Sequence, residues 1–154
     1  MDMLTDDAGH FQRSGDLAFV TDTWPAMKKL ATFLLSNVNT TTGLATFASA
    51  FLGPGSGTSS SGLLAQSFRE LAVVADAVND TAAAAQYRQT STTISAAINK
   101  LLFNPALGIY GIDQTTLNDF SVAGLAFAIT SGEYQHVIVP SFHSEVQCDM
   151  VTLC

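Results

Sequence analysis

Residues 63–103, LLAQSFRELAVVADAVNDTAAAAQYRQTSTTISAAINKLLF, decide the fold. Leu64, Phe68, Leu71, Ala75 and Val78 recur every three or four residues, which lines them along one face of a helix. Ala84, Tyr87, Ser91, Ile94, Ile98 and Leu101 repeat that spacing on a second helix. Between the stripes stand Asn79, Asp80 and Thr81. Asn tolerates the left-handed backbone that ends a helix, and Asp80 or Thr81 can cap the orphan N–H groups that open the next one. The stretch therefore reads as an αα-hairpin, its helices antiparallel and its apolar faces turned to a common side.

Upstream, a helical region is expected to start near Gly15 and Asp16, with residues 1–15 an irregular edge or linker. Leu17, Val20, Trp24, Met27, Leu30, Ala31, Leu34 and Val38 follow a helical stripe, and Lys28 and Lys29 fall off it. Pro25 belongs in a first turn, so Asp22 or Thr23 is expected to restart the helix there. Residues 37–43 read as a polar loop, and 44–52 as a short apolar segment, strand-like or a single helical turn. Residues 53–62, GPGSGTSSSG, look like a flexible connection without regular structure, or else a loop lining a cleft. No Lys follows the last glycine, so the loop is not a phosphate-binding P-loop.

Downstream, Asn104 and Pro105 stop the second helix, and residues 108–111 should be extended. Residues 117–130 are apolar on nearly every side, as in a helix buried all round, with Gly132 ending it. The tail, 133–154, breaks the helical pattern and is expected to be loosely held, with residues 137–139 its only strand-like run. His136, His143, Cys148 and Cys154 match no zinc spacing, so neither a metal nor another cofactor is expected.

Composition narrows the function. Of 154 residues, 47% are hydrophobic and 12% charged, which suits a buried core and argues against disorder. Thirteen acidic against six basic side chains give a net charge of −7, so no nucleic-acid footprint is expected. No apolar run is long enough for a membrane span, and the opening residues, MDMLTDDAGH, do not read as a signal peptide. Two N-glycosylation triplets, at Asn39 and Asn79, fall in predicted surface turns.

The hairpin carries a resemblance as well. Arg69-Glu70-Leu71-Ala72, Ala75-Asp76, Asp80, Ala85, Tyr87, Ala96-Ala97-Ile98-Asn99, Leu102-Phe103-Asn104, Gly108 and Tyr110 resemble one repeat of the six-hairpin glycosidases, most like the fungal α-L-rhamnosidase type. Gly15-Asp16, Phe19, Trp24-Pro25, Ala31 and Phe33 are similar to the same architecture. The resemblance covers residues 16–132 and implies an all-α fold, a partial (α/α)6 toroid built of antiparallel helical hairpins. It also implies a carbohydrate substrate and, for the family, an extracellular setting. Relatives commonly carry Asp-Trp where this chain has Ala50-Phe51.

Inverting glycosidases need a carboxylic acid and a carboxylate roughly 6.5–9.5 Å apart, one to protonate the leaving oxygen and one to activate water. In the family order, the acid-bearing motif would precede Met1 and the base would follow Gly132, so no catalytic residue is assigned. Glu70 reads as a solvated or ion-paired helix residue, and Asp16 and Asp22 as helix-start caps. Trp24, Asp16 and His10 remain as cleft candidates, with Trp24 fitting the core better. The expected role is a catalytic-domain segment of a glycoside hydrolase, inactive alone and self-associating through its uncovered apolar helix. The alternative is a helical interaction module without catalysis, although the hairpin pattern has no second copy.

Overall fold

In chain order the elements are α1 (Leu17–Ser36), α2 (Thr58–Ala77), α3 (Thr81–Leu101), β1 (Phe103–Asn104), β2 (Ile109–Tyr110) and α4 (Val122–Thr130). The computed structural model describes residues 14–48 and 55–130, and these are mostly helical. His10, the tail and Gly132 lie outside the described residues.

The turn between α2 and α3 forms as its residues require. Asn79 takes φ 60°. Its N–H bonds Asp76 O at 3.0 Å and the Asp80 N–H bonds Ala75 O at 2.8 Å, the paired bonds of a Schellman end. Asp80 then caps α3, its side chain accepting from Ala83 N at 3.2 Å. Contacts run in opposite order along the two helices. Asp76 pairs with Arg88, the Phe68 ring lies 5.8 Å from the Tyr87 ring, and Ser91 Oγ donates to Ala65 O at 2.8 Å. That last bond explains a serine on an otherwise apolar stripe: its hydroxyl reaches a spare lone pair of the neighbouring helix. Leu64, Phe68, Ile94, Ile98 and Leu102 fill the interface with at most 1% exposure. Leu102, the residue capping the end of α3, is buried, whereas the stripe residue Leu101 is only half-buried.

Three sequence expectations are corrected. First, α2 starts at Thr58, not at residue 63, so the Thr-Ser-Ser-Ser-Gly run is helical and buried. Three of its hydroxyls are engaged by distant chain, and Ser60 Oγ donates locally to Gly57 O at 3.2 Å. Thr58 Oγ1 donates to Gly111 O, Ser61 Oγ accepts from Ala45 N at 3.1 Å, and Ser59 and Ser121 share a hydrogen bond of 3.1 Å. Second, α1 runs through Pro25 without a break. Thr21 and Pro25 are both exposed, so the carbonyl the ring deprives of a donor sits on the solvent side and no restart is needed. Third, 117–121 are irregular, with a turn at 117–118, and of 117–130 only Val122–Thr130 is helical. This helix is not covered all round, since Val122 is 79% exposed, as is half of Phe120 just before it.

Between α1 and α2 the chain doubles back. Val38 and Ala45 form an isolated antiparallel bridge, and Leu44 and Ala45 are fully buried. After α3, β1 and β2 pair antiparallel, Phe103 opposite Tyr110, so the expected extended stretch has a partner strand that the helical pattern did not suggest. Gly111 follows at a close crossing. A Cβ there would stand 2.5 Å from Leu117 Cα and 2.8 Å from Thr116 O. Gly111→Ala must therefore displace backbone, and an overpacking loss of ~1–3 kcal/mol is expected in urea unfolding. An unchanged midpoint would mean that the 111–117 crossing is looser than described.

Candidate functional site

Asp80 joins a local cap to two hydrogen bonds from a distant helix. Besides capping α3, its Oδ2 accepts from Trp24 Nε1 at 3.2 Å and from Lys28 Nζ at 2.9 Å. Trp24 and Lys28 are four residues apart on α1, hence neighbours on one face. The Trp24 ring stands edge-on to Tyr87, with centroids 6.4 Å apart and planes at 71°. One turn residue thus ties α1 to the α2–α3 pair.

Charge follows from this geometry. The Lys28 ammonium, the Ala83 N–H and the Trp24 indole hold the Asp80 carboxyl below its ordinary value. The same hydrogen bond holds Lys28 above its own. Burial pushes the Tyr87 phenol up. A general acid for glycoside cleavage needs the opposite, a carboxyl kept protonated near neutral pH. Through the neutral range Asp80 is an anion that accepts.

The candidates from the sequence are placed as follows. Trp24 is 9% exposed with its indole N–H engaged, so its ring faces belong to the core and not to an open platform. Asp16 caps α1, accepting from Phe19 N at 3.0 Å. Asp22 sits within α1 and not at its start. Glu70 accepts from Gln66 Nε2 at 2.9 Å on its own helix. The structure brings Trp24 to Asp80 but leaves Asp16 at the far, N-terminal end of α1. Asn39 and Asn79 are both in turns, the first half-buried and the second exposed. Sequence reading offered Asp80 or Thr81 as the cap and missed Lys28 as a partner of Asp80; the four-residue spacing from Trp24 was the available signal.

Surface depressions among the described residues include an open one on α1 lined by Leu17, Ala18, Thr21, Asp22 and Pro25, and two others. One is apolar, lined by Leu30, Phe33, Leu34, Asn37 and Phe47. The other, about 320 Å3, lies between the 39–43 turn and α3 and carries Thr41, Thr42, Thr93, Lys100 and Gln114. Among the described residues, no group of three or more His, Cys, Asp or Glu is placed to hold a metal ion. None of their helices is long and apolar enough to cross a membrane. No protein-family profile matches the chain, and no curated protein matches it.

Proposed function

We propose that the chain is a wall segment of an α-L-rhamnosidase-like (α/α)6 toroid that acts on carbohydrate in the complete domain and hydrolyses no glycoside alone. The observation that carries the proposal is where the resembling residues sit. Leu71, Ala72, Ala75, Tyr87, Ala97, Ile98 and Leu102 are buried between helices, while Asp80, Gly108 and Tyr110 make the turns and the small ribbon. Such positions fix helix pairing and leave chemistry to other segments. Uncovered apolar side chains agree with a piece that has neighbours in the complete domain: Phe33 is 61% exposed, Phe120 50% and Val73 44%.

The decisive observation is the transcript on both sides of this frame. Continuation upstream into an acidic Gly-Trp motif supports the proposal, and its absence there overturns it. In the assay, purified chain incubated with aryl α-L-rhamnoside and aryl glucosides should give no turnover above background, because proton donation and water activation act together in one transition state. Turnover lost in Glu70→Gln would instead make Glu70 catalytic.

The second reading, an interaction module without catalysis, draws on the same exposed Phe33 and Val73. Self-association is expected under the first reading. Concentration-dependent sedimentation checks it, and a clean monomer at high concentration would count against uncovered barrel faces.

A further inference from the structure

Asn39 has all but one of its polar groups engaged. Its N–H donates to Leu44 O at 2.8 Å and its carbonyl accepts from Gly43 N at 2.8 Å. Its Oδ1 accepts from Thr41 N at 2.9 Å and Thr42 N at 3.0 Å. Among the described residues nothing accepts from Nδ2, which is not fully buried although the residue itself is half-buried. The loop is also pressed onto α3. A Cβ on Gly43, whose φ of +77° is left-handed, would stand 3.1 Å from Ala97 Cβ. Thr41 and Thr42 consequently form one side of the hydroxyl-rich depression whose other side is Thr93 and Lys100.

Asn79 heads the same kind of triplet in a different setting. It is the left-handed residue of the Schellman turn, Asp80 is the N-cap bound to Lys28 and Trp24, and Thr81 opens α3. Presenting this triplet as extended chain would undo the turn, the cap and the tie to α1 together, whereas at Asn39 it would undo the local 39–44 turn alone. Its middle residue is also an anion, which the diphosphate of a lipid-linked oligosaccharide donor repels.

We propose that Asn39 is an N-glycosylation site and that Asn79, despite its matching triplet, stays largely bare. In the transfer, Nδ2 attacks C1 of the oligosaccharide on its lipid diphosphate carrier. The Nδ2–C1 bond forms, the C1–O bond breaks with its electron pair leaving on the diphosphate, and one amide proton passes to a base of the transferase. The sugar then stands on the turn that borders the depression lined by Thr41, Thr42 and Lys100. The proposal requires passage through a secretory compartment and is independent of the glycosidase reading.

The test is to express the full chain in yeast behind a cleavable leader, together with Thr41→Ala and Thr81→Ala variants. Total cellular and secreted protein is digested with an amidase that removes N-glycans in 18O water and mapped by mass spectrometry. The expected result is 18O-labelled Asp at position 39, a gel shift lost in Thr41→Ala and retained in Thr81→Ala. An unlabelled position 39, or labelling at 79 equal to that at 39, would overturn the assignment whatever the chain's glycosidase status.

Discussion

Phe68→Ala should remove ~3–5 kcal/mol of folding stability, a large share of the roughly 5–15 kcal/mol a domain possesses. Phe68 is fully buried midway along α2, with the Tyr87 ring 5.8 Å away and Leu64, Leu71, Ile94 and Ile98 buried in the same core. Those residues sit on two long helices already held by backbone ladders and the Ser91–Ala65 bond, so the core cannot collapse far into the cavity. The cost is then the lost transfer energy plus the void. Phe33→Ala is the control, because Phe33 is 61% exposed and its loss should shift stability by no more than about 0.5 kcal/mol. Equilibrium urea unfolding of both variants gives the comparison. Similar midpoints for the two would mean that the α2–α3 interface is not the core.

What could be read from sequence was local. The Asn79-Asp80 turn needs only neighbouring residues: a left-handed position, two bonds back into α2 and a cap onto α3. Helical spacing likewise marked Phe68, Ile94 and Ile98 as interior before any coordinates. The start of α2 was not legible, because nothing within Thr-Ser-Ser-Ser-Gly favours burial. The hydroxyls of Thr58, Ser59 and Ser61 gain these partners only once Gly111, Ser121 and Ala45 arrive from elsewhere in the chain. A serine-rich run therefore looked like a linker when it is a helix end fastened from three sides. Pro25 misled for a related reason. The expected break assumes that the lost hydrogen bond matters, and on the exposed side of α1 it does not. The Asp80 hub was half legible: capping is encoded next door, whereas the Lys28 and Trp24 bonds span 52 and 56 residues.

Asp80→Ala should be strongly destabilising, since one carboxylate serves three donors and two of them lie on α1. Alanine removes the α3 cap, leaves the Trp24 indole N–H without its acceptor at a part-buried site, and frees Lys28. Asp80→Asn separates these roles. Asn caps almost as well as Asp through its one oxygen, but an NH2 donor then faces the Trp24 indole and Lys28, so it keeps the cap and loses both ties to α1. The expected order of stability is wild type, then Asn, then Ala. The pH dependence has a definite sign. The folded-state Asp80 pKa lies below its ordinary 3.8, so the charged form stabilises the fold at all pH values above that ordinary value. The contribution is lost as pH falls from there through the depressed folded value. Lys28 is shifted up from 10.5, and its contribution is complete below that value and fades only as pH rises beyond it. The tie is thus intact through the neutral range. Asp113 is also held low, chiefly by Thr115, so acid weakens the wild type at two places. The difference between wild type and Asp80→Asn isolates the first. Trp24, the single tryptophan, reports unfolding by fluorescence directly at the hub. The gap between the two proteins should be widest near neutrality and close toward about pH 2, below the carboxylate range. A gap that stays constant across that range would show that Asp80 acts only as a cap and that Lys28 contributes nothing.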